Sequence, residues 1–416
     1  MCLSSTMGPG GYVKLLHTSD WHLGHRLLER SRLEEQRLFL DWLVDLVRSE
    51  NPDLLILAGD VFDTGTPPNA ALELYYDFLY RISRTSCRGT VVTGGNHDSV
   101  STLNAPRQLL NRFRVHVVGG AMPPEDELFI LRDGEDSPLA CVGCVPFLRE
   151  RDLRQPRAGE SIGERDAALV AGLRDHYQAV SRAASGYKEL PFILTGHLLA
   201  AGGGRSSSER DLYVGTLGQV DSSVFPASAD YCALGHLHRR GRVDGKEHIR
   251  YSGSPLALDF GDETRKSLVL AEFDGKQLAS LEEFPVPVFR RLVSLSGSLP
   301  EIIWQLEDVA GRNEELSPWL DISVNDPVPD AQERIEEASG ALSLEILRVR
   351  YAKNGGGDET WEDADPHLSE LSPLEVFKRR CESRGEEADD ELIRAYQELL
   401  VIAESNIAGE FRGEDV

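Results

Sequence analysis

The feature of this sequence that most constrains its fold is a series of seven possible metal ligands, each close to the end of a hydrophobic run typical of a buried β-strand. LLILAGD ends in Asp60, for example, and PFILTGH ends in His197. The complete set is Asp20, His22, Asp60, Asn96, His197, His236 and His238. Because the carboxyl ends of parallel strands meet at one edge of a sheet, ligands that are distant in sequence can meet there. The sequence therefore predicts an α/β fold with a binding site at the strand ends.

The residue types in this set suit divalent cations. Asp, Asn and His together favour ions such as Mn²⁺, and two neighbouring ions are a common device for hydrolysing phosphate esters. In Asp20-x-His22 and His236-x-His238, alternate residues of an extended segment face the same way, and the Asp60 carboxylate can bridge two ions. A single Asp-x-His or His-x-His pair is more often structural. The prediction of a two-ion site therefore depends on the ordered series as a whole.

Strand and helix signals divide the chain into several units. From residue 12 to residue 280 they alternate, which predicts one layered domain, with a helix over residues 32–50. Residues 287–353 follow a separate β-α-β-α-β order. Residues 354–369 are rich in glycine and acidic side chains, which predicts a linker, and residues 370–405 predict two short helices.

The two predicted C-terminal helices carry apolar residues at helical spacing, which are Leu374, Phe377, Leu392, Tyr396 and Leu399. Two such short helices cannot bury their apolar faces on each other alone. One interpretation is that they pack back onto the main body. The other is that they dock onto helices of a partner protein.

Charge and composition restrict the possible classes of protein. The net charge is −25 over 416 residues, which argues against a generic nucleic-acid binder. Residues 355–416 hold 6 Lys and Arg against 18 Asp and Glu, so about half of the excess lies there. If DNA is the substrate, basic residues must be local or come from a partner.

The sequence also gives expectations about location. No run of about eighteen apolar residues is present, so we expect no membrane span. The first residues, MCLSSTMGPGG, lack the pattern of a secretory signal, and six sparse cysteines fit a reducing cytoplasm. Cys141-x-x-Cys144 is compatible with zinc or redox chemistry, but buried structural cysteines are the favoured interpretation because no second pair follows.

Several motifs together resemble the calcineurin-like metallophosphoesterase superfamily and, within it, the family of SbcD nuclease subunits of bacterial SbcCD complexes. These motifs are SDWHLGH, GDVFDTGTPP, GGNHDS, GHLLAAGG, ALGHLH and YSGSPLALDF. The resemblance is strong over residues 12–273 and holds in outline beyond them. It implies a layered α/β/β/α sandwich, a small α+β capping domain that binds DNA, and a C-terminal helical pair.

The same resemblance implies roles for individual residues. Two ion sites share Asp60: the first adds Asp20, His22 and His238, and the second adds Asn96, His197 and His236. His97 is expected to contact the scissile phosphate as a catalytic residue, with Asp98 orienting it. Asp63 departs from the histidine that archaeal and eukaryotic relatives usually carry there, so that role is not transferred to Asp63.

For activity, the resemblance implies the nuclease subunit of an ATP-dependent complex that processes DNA ends and hairpins in repair, recombination and replication. A 3′→5′ exonuclease on duplex ends and an endonuclease on single strands and hairpins are both expected, with manganese as the expected metal ion. The implied partner is SbcC, a coiled-coil ATPase of the SMC type, and ATP is expected to act only through it. We expect a cytoplasmic protein associated with the nucleoid.

DNA contacts and self-association are less clearly encoded. Five arginines lie beside the motifs and suit phosphate recognition, although ordinary surface positions are an equal alternative; they are Arg26, Arg205, Arg210, Arg239 and Arg240. The resemblance implies a homodimer through helices in the region of residues 70–113. Leu74, Phe78 and Leu79 are candidates for that interface, and core packing is the competing interpretation.

Two other functions share these ligands. A phosphomonoesterase or cyclic-nucleotide phosphodiesterase can use the same fold and the same metal set. A DNA-bridging scaffold with an incidental metal site is the alternative that is not an enzyme, and the complete ligand set argues against it.

Overall fold

The computed structural model describes residues 11–157, 159–200, 220–311, 315–325 and 331–351, together with Phe377, Cys381, Leu392, Ile393 and Tyr396. Within these residues the chain forms a large two-sheet unit followed by a small three-stranded unit.

The large unit is built from the longest part of the chain. Its strands are β1 (Tyr12–Thr18), β2 (Arg26–Leu27), β3 (Arg30–Ser31), β4 (Leu54–Ala58), β5 (Gly89–Thr93), β6 (Val115–Val118), β7 (Leu128–Arg132), β8 (Pro138–Gly143), β9 (Phe192–His197), β10 (Tyr231–Gly235), β11 (Gly241–Val243), β12 (Lys246–Tyr251), β13 (Ser267–Asp274) and β14 (Gln277–Pro285). Its helices are α1 (Leu33–Glu50), α2 (Asn69–Ser83), α3 (Val100–Asn104), α4 (Arg107–Asn111), α5 (Glu150–Leu153) and α6 (Ile162–Ala183), with 3₁₀ turns at Ala184–Tyr187 and Ser222–Val224.

Two six-stranded sheets face each other in this unit. Their strand orders are β14-β13-β1-β4-β5-β6 and β11-β12-β10-β9-β8-β7. In the first sheet β1, β4, β5 and β6 run parallel to one another, and in the second sheet β8, β9, β10 and β12 do so. A fully buried apolar cluster, including Leu15, Ile56, Ile193 and Tyr231, fills the space between the sheets.

Helices cover the outer faces of both sheets. Phe39 and Leu43 of α1 and Phe78 of α2 belong to the core under the first sheet, and Leu173 and Tyr177 of α6 belong to the core under the second. The four layers are therefore helix, sheet, sheet, helix, which confirms the predicted sandwich.

The helix predicted over residues 32–50 is α1. It ends because Asn51 adopts a left-handed conformation (φ 50°, ψ 52°), and its amide donates to the Val47 carbonyl at 3.0 Å. Asparagine tolerates this conformation better than most residues, and Pro52 then continues the chain outside the helix.

The small unit has the predicted β-α-β-α-β order. It consists of β15 (Leu292–Gly297), α7 (Leu299–Ala310), β16 (Trp319–Val324), α8 (Ala331–Ser339) and β17 (Glu345–Tyr351). The three strands are parallel, with β16 in the centre, and both helices pack into one core with β16. The unit is thus built from α/β crossovers, which refines the expected α+β description.

Arginines join the small unit to the large one. Arg290 donates from Nη1 to the Ser317 carbonyl at 2.6 Å and lies 4.4 Å from the centre of the Trp319 ring. Its Nη2 is 3.7 Å from Glu34 of α1. Arg30 Nε, in the β2–β3 hairpin, is 3.1 Å from Glu345 Oε1 in β17. The small unit is therefore tied to the segment that follows the first ligand motif.

Few residues of the C-terminal helical pair are described. Phe377 and Tyr396 stack with ring centroids 4.0 Å apart, and Cys381 is buried. Leu374, Leu399 and the predicted linker lie outside the described residues. Among the helices that the structure describes, none has the length and apolar character needed to cross a bilayer.

The candidate dimer residues divide into two groups. Phe78 and Leu79 are each 1% exposed and belong to the core of the large unit, and Leu74 is partly buried against it. Core packing is thus the correct interpretation for Phe78 and Leu79. The exposed apolar residues of this region are Tyr80, Leu109 and Phe113.

Candidate metal centre

All seven predicted ligands meet at the carboxyl ends of the inner strands. Asp20 and His22 follow β1, Asp60 follows β4, and His197 ends β9. The loops are joined by backbone hydrogen bonds, because the Asp20 amide donates to Gly59 O at 3.0 Å and the His22 amide donates to Asp60 O at 3.1 Å. The parallel strands of both sheets thus bring their ligands to a common edge.

Strained backbone accompanies the ligands. Positive φ values, which residues other than glycine rarely adopt, occur at Asp20 (54°), His22 (46°), Asp60 (48°) and His236 (99°). Such conformations persist only where the surrounding structure fixes them, and they cluster at functional sites.

Glycines allow the loops to approach one another. A Cβ atom on Gly95 would lie 2.1 Å from Asp60 Oδ1, and one on Gly235 would lie 1.9 Å from the Ala58 carbonyl oxygen. Either side chain would push a ligand loop away from the centre, so the absence of a side chain is required at both positions.

The first group of ligand atoms surrounds His22. His22 Nε2 is 3.2 Å from His238 Nε2 and 3.7 Å from Asp60 Oδ2. Ligand atoms of Asp20, His22 and His238 all lie within 4.8 Å of one another. These residues are the predicted first site.

The second group surrounds Asn96. Asn96 Oδ1 is 2.9 Å from His197 Nε2 and 3.0 Å from His236 Nδ1. His197 Nε2 is also 3.2 Å from Asp60 Oδ2. The same Asp60 oxygen therefore lies near both His22 and His197, between the two groups of ligand atoms.

The donor set fits divalent cations. His22 and His238 are buried and turn ring nitrogens toward each other, an arrangement that needs either a shared proton or a cation between them. Burial lowers the pKa of His238 well below its usual value and, with the nearby His197, lowers the pKa of His236 to about 3. Neutral imidazoles of this kind are ready to bind metal.

Asp60 and His197 form an ion pair in the metal-free protein. Burial alone would raise the pKa of the Asp60 carboxyl, but His197 holds it well below its usual range. Burial likewise opposes the charge of His197, yet Asp60 raises the pKa of that imidazole to about 9. A bound cation would replace the His197 proton as the countercharge of Asp60.

His97 lies beside the ligands and is held by backbone groups. Its Nδ1 is 2.7 Å from the Asp63 carbonyl oxygen, and its amide donates to Asp60 Oδ1 at 2.9 Å. Its ring meets the His22 ring edge to face, with centroids 4.8 Å apart. His97 is therefore fixed next to the first group of ligands.

The predicted pairing of Asp98 with His97 is wrong in its geometry. Asp98 is buried, and its carboxylate accepts hydrogen bonds from the amides of Val61 (3.1 Å), Phe62 (3.0 Å) and Gly95 (2.8 Å). Because it accepts hydrogen bonds from amides of two loops, the Asp98 carboxylate holds these loops together. Asp98 thus positions His97 only through the backbone, while the Asp63 carbonyl contacts the ring directly.

Sequence reasoning gave no role to two residues that support this site. Asp63 Oδ1 is 3.0 Å from His25 Nδ1 and 3.4 Å from His22 Nδ1, and His25 Nε2 is 3.1 Å from the Leu258 carbonyl oxygen. The carboxylate of Asp63 faces the ring nitrogen of His22 that points away from the ligand group, an arrangement that orients metal-binding histidines. The place of Asp63 in GDVFD and that of His25 at the end of SDWHLGH were the available signals.

The predicted DNA-contact arginines that the structure describes lie outside the ligand cluster. Arg26 and Arg239 are more than half exposed and lie 3.7 Å from Glu29 and Glu263, respectively. Arg240 is 3.3 Å from Glu283. Arg205 and Arg210 lie outside the described residues.

The cysteines fit the structural interpretation. Cys141 and Cys144 are fully buried free thiols, and burial raises the pKa of Cys141 to about 12. No cysteine joins a possible metal-binding group among the residues that the structure describes.

Comparison with known proteins places this geometry in a family. The model of the calcineurin-like phosphoesterases matches residues 13–240, and a model described as the type 5 capsule protein repressor C-terminal domain matches residues 288–384. The SbcD subunit of nuclease SbcCD from Escherichia coli (strain K12) is 38% identical over 96% of this chain and 99% of its own length. The chain belongs to the calcineurin-like phosphoesterases and, among them, to the SbcD family of nuclease subunits.

Further relatives carry the same name. The SbcD protein of Bacillus subtilis (strain 168) is 32% identical over 93% of this chain and 97% of its own length. The SbcD protein of Rhodobacter capsulatus is 36% identical over 82% of this chain and 86% of its own length. Membership of this family makes the chain a metal-dependent nuclease and does not favour the phosphomonoesterase or cyclic-nucleotide alternative.

Proposed function

We propose that this chain is the nuclease subunit of an ATP-dependent complex that cleaves DNA ends and hairpins by two-metal phosphodiester hydrolysis. The observation that carries the proposal is the Asp60 carboxylate, which lies between the His22 group and the His197 group. The activities we propose are a 3′→5′ exonuclease on duplex ends and an endonuclease on single strands and hairpins. They would serve DNA repair, recombination and replication at the nucleoid in the cytoplasm.

The proposed ligand sets are those that the family resemblance implies, and the distances among the side chains support them. One ion would be held by Asp20, His22, Asp60 and His238, and the other by Asp60, Asn96, His197 and His236. We propose Mn²⁺ for both positions, because mixed imidazole, amide and carboxylate donors suit this ion. Bound ions of this type stabilise negative charge on phosphate oxygens and make a water molecule more acidic.

The protein's own side chains then position the phosphate and move a proton. Asn96 directs Oδ1 toward His197 and His236, which leaves its NH₂ group to donate to a phosphate oxygen. His97 donates from Nδ1 to the Asp63 carbonyl, so it is the Nε2–H of the doubly protonated ring that would give a proton to the departing oxygen and leave the neutral imidazole.

Replacing His97 with alanine tests this assignment. We expect cleavage of hairpin DNA to slow by about 10²–10⁴-fold, the usual contribution of one general acid, while the bound manganese measured by elemental analysis stays at the wild-type amount. The matched variant His197→Ala removes a proposed ligand and should lose both metal and activity. Loss of metal from His97→Ala would contradict its role as a proton donor.

The substrate class has its own test. The wild-type protein with Mn²⁺ is given a labelled DNA hairpin and, separately, a chromogenic phosphate monoester. We expect turnover of the hairpin to exceed turnover of the monoester. Cleavage of the monoester alone would overturn the nuclease proposal.

We propose a coiled-coil ATPase of the SMC type, SbcC, as the partner, since the names of the relatives describe one component of an SbcCD complex. ATP would act only through that partner. The docking element would be the C-terminal helical pair, of which the Phe377–Tyr396 stack is described. A basic partner would also supply the positive charge that a chain of net charge −25 lacks for binding DNA.

We also propose a homodimer through the α2–α4 region. Tyr80 and Leu109 are 57% and 60% exposed, and an apolar groove of about 350 Å³ opens beside them. Its lining residues are Tyr76, Leu79, Tyr80, Pro106, Leu109, Leu110 and Phe113. A second copy of the same surface would bury the exposed members of this set, Tyr80, Leu109 and Phe113.

A further inference from the structure

A buried lysine lies behind the metal centre and takes no part in the chemistry proposed above. Lys266 is 8% exposed and stands just before β13. Its Nζ donates to the His238 carbonyl oxygen at 3.1 Å and to Ser254 Oγ at 3.0 Å, and it is 3.4 Å from Asp262 Oδ2. A buried ammonium is costly unless its hydrogen bonds are satisfied, and here all three partners lie in two loops next to the site.

The turn at residues 252–254 is the structure that Lys266 holds. This turn belongs to the motif YSGSPLALDF, to which the proposed chemistry gives no role. The Ser254 amide donates to the His238 carbonyl at 3.1 Å, so Lys266 and Ser254 share that acceptor. Gly253 has a φ of 76°, and a Cβ there would lie 2.8 Å from the same oxygen. The turn therefore packs directly against the loop that carries His238.

The other end of the turn reaches a second ligand. Ser252 Oγ is 2.8 Å from Ser19 Oγ, and the Ser19 hydroxyl in turn donates to the Asp20 carboxylate. Asp20 Oδ1 also accepts from the His236 amide at 2.9 Å. One turn thus supports Asp20 and His238, two ligands that belong to the same group of metal-binding atoms.

We propose that Lys266 is a positioning residue of the metal centre. Its ammonium holds the turn at residues 252–254 against the His238 carbonyl by hydrogen bonds to that carbonyl and to Ser254. In this way it keeps Asp20 and His238 in the positions that bind one of the two ions. Asp262 contributes to this arrangement, because its Oδ2 lies near the Lys266 ammonium and accepts a hydrogen bond from the Leu258 amide at 2.8 Å. This inference rests on the two-ion site proposed above.

Metal affinity measured by calorimetry tests the inference in the full-length protein. Lys266→Met keeps the length of the side chain and removes the charge. We expect one of two Mn²⁺ ions to bind about 10–100-fold more weakly, the usual effect of losing a group that orients a ligand, and the other ion to bind as in the wild type. Electron paramagnetic resonance should show the signal of a manganese pair in the wild type and mainly that of single ions in the variant at limiting Mn²⁺.

Two further variants separate positioning from folding. Lys14→Met removes another largely buried ammonium, which contacts Glu50 at 2.8 Å far from the ligands, and should lower stability without changing Mn²⁺ affinity. Ser254→Ala removes one hydrogen-bond acceptor of Lys266 and should weaken the binding of the same ion to a smaller degree. It also serves as the test if Lys266→Met does not fold. Lys266→Arg should restore part of the affinity.

The outcomes distinguish the two proposals. A wild-type protein that binds fewer than two Mn²⁺ ions would overturn the two-ion site itself. A wild type with two ions, together with folded Lys266→Met and Ser254→Ala variants of unchanged affinity, would overturn the role of Lys266 alone.

Discussion

At the scale of single residues, the metal centre depends on side chains that are not ligands. Asp98 joins the turn after β4 to the turn after β5 through three amide hydrogen bonds, and Asp63 faces the outer nitrogen of His22. Burial, and then the neighbouring Asp60, raise the pKa of Asp98 to about 6 in the metal-free protein. The three amide donors are what make a buried carboxylate tolerable there.

A buried histidine between the sheets should give the metal-free protein a measurable dependence on pH. His17 is fully buried, with Nδ1 2.9 Å from Tyr231 Oη, and burial lowers its pKa to about 3. In the unfolded chain its pKa is about 6.5, so between these values the unfolded state binds one more proton. The stability that the neutral ring contributes is present above pH 6.5 and is lost as the pH falls toward 3.

His17→Gln tests this prediction, because glutamine can still hydrogen-bond to Tyr231 but does not titrate. Urea unfolding with chelator present, at several pH values from 8 to 4, gives the free energy of unfolding. Below pH 6 the wild-type curve should fall more steeply than that of the variant, by about 1.4 kcal/mol per pH unit for one proton. Parallel curves would show that His17 does not take up the proton.

At the scale of elements, two sheets must approach closely at their carboxyl edges for the ligands to meet. Gly235 ends β10 in the second sheet, and Ala58 ends β4 in the first. The contact between them has no space for a methyl group, because a Cβ on Gly235 would lie 1.9 Å from the Ala58 carbonyl oxygen. The spacing of the two sheets is therefore set at the same place as the metal centre.

Gly235→Ala should force the sheets apart. We expect a loss of about 1–3 kcal/mol in the free energy of unfolding, or more, as for other overpacked cores, together with weaker Mn²⁺ binding. The matched control is Gly241→Ala, because no atom lies within 4 Å of a Cβ at that position. Equal stability of the two variants in urea unfolding would contradict the close approach of the sheets.

Features that lie within one element could be predicted from the sequence, whereas contacts between distant elements could not. The strand ends and their meeting at one edge follow from local patterns, since each ligand motif follows its own strand, whereas the grouping of ligands around Asp60 was implied by the family resemblance. The pairing of Asp98 with His97 was implied by the family resemblance, and the fold instead turns Asp98 toward amides up to 37 residues away. Contacts such as that of His25 with Leu258, separated by 233 residues, have no local signal.

The exposed apolar surface on α2 and α4 leads to a prediction about self-association. Leu109→Arg places a charge at the rim of the proposed dimer groove, where burial would leave it unpaired. We expect light scattering to give about twice the chain mass of 46.0 kDa for the wild type and the chain mass itself for this variant. Ile162→Arg, at a residue that is 69% exposed elsewhere, should remain dimeric. A monomeric wild type would refute the proposed surface.

At the scale of the whole molecule, the acidic charge is concentrated in a segment that is separate in sequence from the metal centre. Residues 355–416 hold 18 acidic and 6 basic side chains, a net charge of −12 out of −25. None of the proposed ligands lies in this segment, and the small unit contacts the large one through Arg30 and Arg290 instead. The metal centre should therefore function without the C-terminal segment, while a basic partner would be attracted to it.

Removing residues 354–416 should separate these two functions. We expect the shortened protein to bind Mn²⁺ and hydrolyse a chromogenic phosphodiester as the wild type does, but to lose co-purification with the coiled-coil ATPase. In the full-length chain, Leu392→Asp introduces a charge at a residue that is 40% exposed and should weaken the association measured by calorimetry. Ile162→Asp is the control for an exposed apolar residue outside the segment. If the shortened protein still co-purified with the ATPase, the docking element would have to lie in the two units that it retains, and the small unit beside Arg30 would become the next candidate.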